Sequence, residues 1–188
     1  MSTILDGSPA SEGIAAGKVF HLDWGLPTVP HATVEREDVP EEVERFHQAR
    51  AWAKDRLDEL RAMTEERLGS IEARIFEPQL LMLDDSEIVD GTVRYIEENR
   101  LSAPRAFEWR MLELQSRWSR TSHPMVLDRI NDLEDLMIRV LHRLLDLPDP
   151  SDFDQVDGQV ILVATNLTPS LTMHLDPDRV LGIATDQG

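Results

Sequence analysis

Hydrophobic residues follow three different patterns along this 188-residue chain. Residues 3–22 contain short apolar pairs separated by glycines, which is typical of strands and turns. Between residues 41 and 144, apolar residues recur every three or four positions, which predicts helices that each bury one face. The later runs 158–165 and 179–184 are short and almost wholly apolar, which predicts buried strands. The pattern therefore predicts a mixed α+β or α/β fold with a helical block in its middle.

The helical block divides into several predicted helices. The first has the apolar stripe Val43, Phe46, Ala49, Ala53, Leu57, Leu60 and Met63. A second helical stretch covers 71–83, and Ser86 is expected to cap the helix after it. Ser102 with Pro104 predicts the start of another helix, and Pro124 the start of the last. Short connections between these helices predict an antiparallel bundle or paired hairpins.

The β-rich segments at the two ends are expected to form one sheet. The segment between the last two strands has short-helix signals, with Thr168 as N-cap and Pro169 at the first helical position. A strand–helix–strand unit places its strands parallel in a sheet, and we expect the amino-terminal segment to join them. The predicted domains are an α/β subdomain of residues 1–22 and 150–188 and an inserted helical subdomain of residues 40–147.

Charge and composition narrow the class of partner. The chain has 19 basic and 36 acidic residues, a net charge of −17, which disfavours nucleic acid and anionic membranes and favours a basic partner. An acidic surface that only keeps the protein soluble is the simpler alternative. No signal peptide and no apolar run of roughly 20 residues is present, so we expect a cytoplasmic protein without a membrane span. Cysteine is absent, which excludes disulfides and thiolate sites.

Individual residue types give no clear catalytic site. The six histidines are His21, His31, His47, His123, His142 and His174. None has metal-ligand spacing to carboxylates on a shared face, so we expect no metal site. His174 is the one histidine with a candidate functional role, because it follows the predicted short helix. Residues 13–17 lack the spacing and the Lys-Ser/Thr pair of a phosphate-binding loop. Taken alone, these residues indicate a non-catalytic chain.

Three stretches carry a family resemblance. "SPASEGIAAGKVF" (8–20), "IFEPQLLMLDDSEI" (75–88) and "VILVATNLTPSLT" (160–172) resemble, in order and spacing, the amino-terminal domain of Enzyme I. Enzyme I is the phosphoenolpyruvate–protein phosphotransferase of the bacterial sugar phosphotransferase system, and the resemblance covers essentially the whole chain. It implies a phosphohistidine-type α/β subdomain and an inserted helical subdomain that docks the carrier protein HPr. This organisation agrees with the one predicted from periodicity.

The resemblance also implies where the chemistry takes place. In the family, a Gly-rich loop and a Thr-Ser-His motif follow the position of Gly188, and this His takes the phosphoryl group. The chain is therefore expected to be an inactive, monomeric amino-terminal fragment that lacks the catalytic His and has no cofactor of its own. Thr172 is implied to hold the imidazole in its productive tautomer. Phosphoenolpyruvate, Mg²⁺ and homodimer formation are implied to belong to a missing carboxy-terminal domain.

A docking face for HPr is implied by the same resemblance. It consists of Ile75, Gln79, Met82, Ile88 and Arg129. Met82 suits an adaptable contact surface, and Gln79 is expected to be too polar for the core. Phe76 and Leu80, from the same stretch, are expected in the core.

Three departures from the family pattern leave the partner open. Gln79 stands where the family often has His, Glu134 where it usually has Arg, and Asn166 where it usually has Asp. The resemblance includes paralogues that serve a nitrogen-regulatory or dihydroxyacetone-kinase relay. The pathway served stays open, because Enzyme I acts upstream of all sugar specificity. Two other classes are a helical interaction module without phosphotransfer and a swivelling domain of pyruvate phosphate dikinase type. The last fits poorly because it lacks the helical insertion.

Overall fold

The architecture combines a three-stranded parallel sheet with a block of helices inserted between its first two strands. It is seen in a computed structural model that describes residues 4–22, 25–120, 124–148, 158–165, 167, 171–172 and 175–186. The mixed fold class predicted from the sequence is confirmed. The subdomain boundaries stay a prediction.

The sheet contains β1 (Lys18–Leu22), β2 (Val160–Ala164) and β3 (Val180–Thr185) in that spatial order, and both pairings are parallel. The amino-terminal segment therefore joins the last two strands in one sheet, as expected. One face is packed by Leu22, Leu162 and Ala164 together with Leu171, which follows β2. Because the strands are parallel, their carboxyl ends lie at one edge of the sheet.

The helical block begins soon after β1. It consists of α1 (Val39–Leu68), α2 (Ser70–Ala73), a 3₁₀ turn (Arg74–Phe76), α3 (Glu77–Leu83), α4 (Ser86–Asn99), α5 (Ala103–Trp118) and α6 (Pro124–Leu144). The predicted helix stripes pack into one hydrophobic cluster that shares no residue with the cluster under the sheet. Residues 25–38 lead from β1 toward α1, and Val29 of this segment is buried in the helical cluster. No described helix is long and apolar enough to cross a membrane.

Two local predictions were wrong. The stretch 71–83 is not one helix, because Gly69 ends α1 with φ +114° and Pro78 sits in the first turn of α3. Proline cannot donate an intrahelical hydrogen bond, so it starts a helix better than it continues one. The cap of α4 is Asp85 rather than Ser86. Asp85 has an extended backbone, and its side chain accepts a 2.7 Å hydrogen bond from the backbone N–H of Glu87.

Candidate functional site

A surface groove of about 640 Å³ lies where α2 and α3 approach α5 and α6. Its walls are formed by Ile71, Arg74, Glu77, Pro78, Leu81, Met82, Asp85, Trp118 and Arg129. Two of the apolar side chains are largely open to solvent, since Ile71 is 79% and Leu81 is 74% exposed. Exposed apolar side chains that share a groove with charged neighbours are typical of a protein-docking surface.

The exposure of this surface follows from the break in the chain at Gly69. Residues 70–76 form only a short helix and a 3₁₀ turn, so they cannot bury a continuous stripe. Ala73 and Phe76 point into the helical core, whereas Ile71 and Ile75, four positions apart, stay exposed on the outside. Residues four apart lie on the same helix face. The bend between α1 and α3 therefore displays an apolar surface toward solvent.

Charges of both signs surround the groove. Nε of Arg74 lies 3.4 Å from Oε1 of Glu77, and Nη1 of Arg129 lies 2.9 Å from Oδ2 of Asp132. These pairs are solvent-exposed, and exposed pairs contribute only about 0–1 kcal/mol. The arginines can therefore exchange these partners for carboxylates of a docked protein at little cost.

The five residues of the implied docking face do not lie together on the surface. Ile75 and Arg129 are exposed, and Arg129 lines the groove. Met82 is nearly buried but forms part of the groove wall, whereas Ile88 belongs to the hydrophobic core. Their role in docking stays a prediction.

Gln79 contradicts the expectation that its polarity excludes it from the core. It is 5% exposed, and its Nε2 donates a 2.9 Å hydrogen bond to Oδ2 of buried Asp135. A buried amide is tolerated when a hydrogen bond compensates its lost hydration. Phe76 is buried and Leu80 packs against the core, as expected.

The periodicity argument missed Ile71, Leu81, Arg74 and Trp118, which all line the groove. Leu81 belongs to the apolar set of the predicted helical stretch 71–83, whereas Ile71 is not part of that set. The sequence does contain a signal for Ile71, because it closely follows Gly69 and stands four positions before Ile75.

The carboxyl edge of the sheet is a second place where functional groups are expected. Leu171 packs with Leu22 and Ala164, the last residues of β1 and β2, so the adjacent Thr172 lies near this edge with its side chain exposed. The backbone N–H of Leu175 closes a turn on the carbonyl of Thr172 at 3.2 Å. At the end of β3, the N–H of Asp186 donates to the carbonyl of Ala164 at 3.3 Å.

Four histidines fall within the described ranges. His21 is exposed near the carboxyl end of β1, and a ring nitrogen of His31 lies 3.1 Å from Arg105. His47 packs beside Phe46, and Nδ1 of His142 lies 2.9 Å from the carbonyl of Pro148. Among these described residues, no group of three or more histidines and carboxylates could hold a metal ion. His123, His174, Asn166, Thr168 and Pro169 lie outside the described residues.

Two residues away from the groove, Tyr95 and Glu113, have shifted pKa values. Burial, followed by the charge of Glu113, raises the pKa of Tyr95 on α4. The hydrogen bond from Arg110 is the main cause that lowers the pKa of Glu113 on α5. Neither residue lines the groove, so these shifts belong to the packing of α4 on α5.

Comparison with known proteins identifies relatives of the whole chain. Residues 6–129 match the family model of the PEP-utilising enzyme, N-terminal. The phosphoenolpyruvate-protein phosphotransferase of Geobacillus stearothermophilus is 33% identical over 186 residues, which cover 98% of this chain and 31% of that protein. The protein of the same name from Staphylococcus aureus is 31% identical over 194 residues, covering 100% of this chain and 32% of its own length. The chain thus spans about a third of the length of these curated relatives.

Two solved structures share the fold. The NMR solution structure of Enzyme I superimposes with a TM-score of 0.72 at 25% identity, covering 90% of this chain and 68% of that chain. The N-terminal domain of the nitrogen Enzyme 1 gives a TM-score of 0.67 at 21% identity, covering 92% of this chain and 69% of that chain. The second match supports the architecture alone.

Proposed function

Because this chain belongs to the N-terminal family of PEP-utilising enzymes and has the fold of the Enzyme I N-terminal domain, we propose that it forms the carrier-docking part of a phosphoenolpyruvate–protein phosphotransferase. The parent protein would transfer a phosphoryl group from phosphoenolpyruvate to one of its own histidines and then to a small carrier such as HPr. The observation that carries this proposal is the groove with its exposed Ile71 and Leu81.

The docked partner would be a small carrier with a basic face. The net charge of −17 attracts such a protein over a distance, while the groove itself has two arginines and two carboxylates. Long-range attraction of this kind raises the association rate and is screened when the Debye length falls to about 8–10 Å. The apolar side chains would then supply the contact area, and Arg74 and Arg129 the orientation.

The sheet would supply the phosphotransfer end of the domain. In the proposed reaction, a neutral imidazole nitrogen attacks the phosphorus atom, the bond to the enolpyruvate oxygen breaks, and the phosphoryl group later passes to a carrier histidine. Thr172 is proposed to orient that imidazole from the carboxyl edge of the sheet. The phosphoryl-accepting histidine is expected in the parent sequence after β3, so none of the six histidines of this chain is assigned the role.

Mg²⁺ has no place in this part of the proposal. The described residues form no cluster of carboxylates or histidines that fits a metal ion. Any requirement for Mg²⁺ is expected to reside in the carboxy-terminal domain, and no step above depends on it.

A titration with an HPr-like carrier tests the docking proposal. Leu81→Glu should weaken binding by more than tenfold, because it places a carboxylate in the apolar contact, and about 1.4 kcal/mol is a factor of ten. Leu112→Glu is the matched control, since Leu112 is also an exposed leucine but does not line the groove. Equal effects of the two substitutions, or none, would contradict the assignment of the groove.

Phosphorylated carrier tests the chemistry separately. The 188-residue chain should acquire no acid-labile, base-stable phosphate, whereas a longer version that includes the histidine motif should acquire it in the reverse reaction. Label on the shorter chain would mean that one of its own histidines is the acceptor, with His174 as the first suspect. Failure of the longer version to accept phosphate would favour a helical interaction module without phosphotransfer.

A further inference from the structure

Three polar side chains lie buried on two helices that flank the groove. Gln79 on α3 is 5% exposed, and Asp135 and Arg139, one turn apart on α6, are 3% and 1% exposed. The Nε2 group of Gln79 donates to Oδ2 of Asp135 at 2.9 Å. In the described part of the chain the Oε1 atom of Gln79 has no hydrogen-bond partner, so the bond to Asp135 is what compensates burial of the amide.

The same short helix forms a wall of the groove. Gln79 and Leu83 face the interior, whereas Leu81 is exposed and Met82 is nearly buried at the groove wall. Arg129, less than two turns before Asp135 on α6, also lines the groove. The Gln79–Asp135 hydrogen bond therefore joins the two helices whose relative rotation sets the shape of the groove.

Apolar packing alone specifies this rotation weakly. Successive residues of a helix differ in direction by about 100°, so a rotation of α3 by about that angle would exchange Leu81 with Met82 at the surface. Both are large, unbranched at Cβ and apolar, and such pairs substitute for each other at low cost. A hydrogen bond between two buried polar groups is directional, so the bond from Gln79 to Asp135 favours one rotation of α3 over the others.

We propose that Gln79 is a positioning residue that fixes the rotation of α3 on α6 through Asp135, and so decides which side chains the groove presents to its partner. This inference rests on the proposed docking function and adds that Gln79 acts from the interior, without touching the carrier. The short helix α3 has seven residues and ends at Leu83, so its own backbone hydrogen bonds hold it weakly.

Single cysteines test the rotation without any carrier. The chain has no cysteine, so Leu81→Cys and Met82→Cys each introduce one thiol whose reaction rate with a soluble reagent reports its exposure. When Gln79 is present, the thiol at position 81 should react much faster than the thiol at position 82. Adding Gln79→Leu should lower the ratio of the two rates by on the order of tenfold, because the helix is no longer held in one rotation.

Thr92→Val is the matched control for loss of a buried polar group. Thr92 is fully buried on α4, and its hydroxyl donates to the carbonyl of Ile88 at 2.7 Å. It should leave the ratio of thiol rates unchanged even though it also removes a buried hydrogen bond. An equal ratio in the Gln79→Leu and Thr92→Val backgrounds would overturn the proposal.

If Gln79→Leu does not fold, Gln79→Met supplies the background, because methionine keeps the unbranched shape of glutamine and removes only the amide. This variant should also show the lowered thiol ratio. A folded Gln79→Met variant with the thiol ratio of the unsubstituted chain would overturn the proposal, because the hydrogen bond would then not hold the rotation.

The carrier titration completes the test. Gln79→Leu should weaken binding of an HPr-like carrier on the order of tenfold, while Thr92→Val should not. A lowered thiol ratio with unchanged affinity would overturn the link between helix rotation and recognition. If the chain without substitutions binds no carrier, the proposed function is contradicted instead. The thiol ratio would still decide whether Gln79 positions α3.

Discussion

The side chain of Arg110 on α5 fills the space directly beside Gly91 on α4. A Cβ added to Gly91 would overlap Nε of Arg110 and lie 2.7 Å from its Cδ. The Arg110 side chain is buried at this crossing, where Nε donates to the carbonyl of Glu87 at 2.6 Å and Nη1 contacts Glu113 at 2.6 Å. The glycine in the middle of α4 is therefore explained by the arginine that passes over it.

Gly91→Ala is expected to destabilise the protein despite the better helix propensity of alanine. Propensity alone would add about 1 kcal/mol of stability. Displacing the middle of a buried, hydrogen-bonded arginine should cost more, so we expect a net loss of about 2 kcal/mol in urea unfolding. In an Arg110→Ala background the sign should reverse, because only the propensity gain is left. A stabilising effect of Gly91→Ala in both backgrounds would refute the packing argument.

Glu42 caps a helix to which it does not belong. Its Oε2 accepts from the backbone N–H of Ala103 at the start of α5, while the neighbouring Ser102 makes no side-chain cap. Glu42→Ala should lower the free energy of unfolding by about 1–2 kcal/mol, the usual contribution of a cap. Glu44→Ala, an exposed glutamate on the same helix, should change it by less than about 0.5 kcal/mol. Equal losses for the two substitutions would contradict the cap, because within the described residues Glu44 makes no hydrogen bond to α5.

Tyr95 can be titrated by itself because it is the one tyrosine of the chain. Burial and the adjacent Glu113, whose carboxylate lies 3.2 Å from the hydroxyl, raise the pKa of Tyr95 above its ordinary value of 10.0. Phenolate absorbance should therefore appear at higher pH in the folded chain than in urea. Glu113→Gln should bring the two curves closer together, and coincident curves in the parent chain would contradict the contact.

The sign of the accompanying pH effect on stability follows from these shifts. A raised pKa favours the folded state below the unfolded value of Tyr95 and loses this contribution as pH rises through the folded value. Glu113 behaves in the opposite way, because the hydrogen bond from Arg110 lowers its pKa below the ordinary 4.5. The stability difference between the parent and Glu113→Gln should shrink as pH falls below that value. A difference that is constant between pH of about 6 and 3 would rule out this role for the carboxylate.

Glu134 is exposed on α6, in the helix that supplies Arg129 to the groove. Glu134→Arg makes the local charge more positive by two units, so we expect it to slow association with a basic-faced HPr while leaving dissociation nearly unchanged. Stopped-flow rates over a salt series measure the effect, which should diminish as the Debye length shortens. An association rate that does not change at low salt would mean that residue 134 lies too far from the docked carrier.

Periodicity predicted the elements better than it predicted the groove. The stripes of α1 and α6 and the apolar run of β2 reflect burial that the sequence displays directly. The run 179–184 does form β3, but the prediction that it is buried was wrong, because Leu181 is 39% and Ile183 is 50% exposed on this last strand of the sheet. Whether Leu81 faces outward and Gln79 inward depends on how a seven-residue helix is rotated against α6. That rotation depends on a hydrogen bond to Asp135, a residue far away in sequence, and no local pattern contains it. The same limit applies to Glu42, whose capping partner lies on another helix.

The insertion of the helices between β1 and β2 has a consequence for how the chain reaches its native state. The adjacent strands β1 and β2 come from opposite ends of the sequence, so their pairing requires closure of a very long loop. Contacts within the helical block join residues closer in sequence, so less conformational entropy is lost when they form. The helices should therefore gain amide protection first in pulse-labelled refolding, and their assembly should bring β1 and β2 together. Substitutions that weaken the helical core, such as Gly91→Ala, should then slow formation of a sheet they never touch.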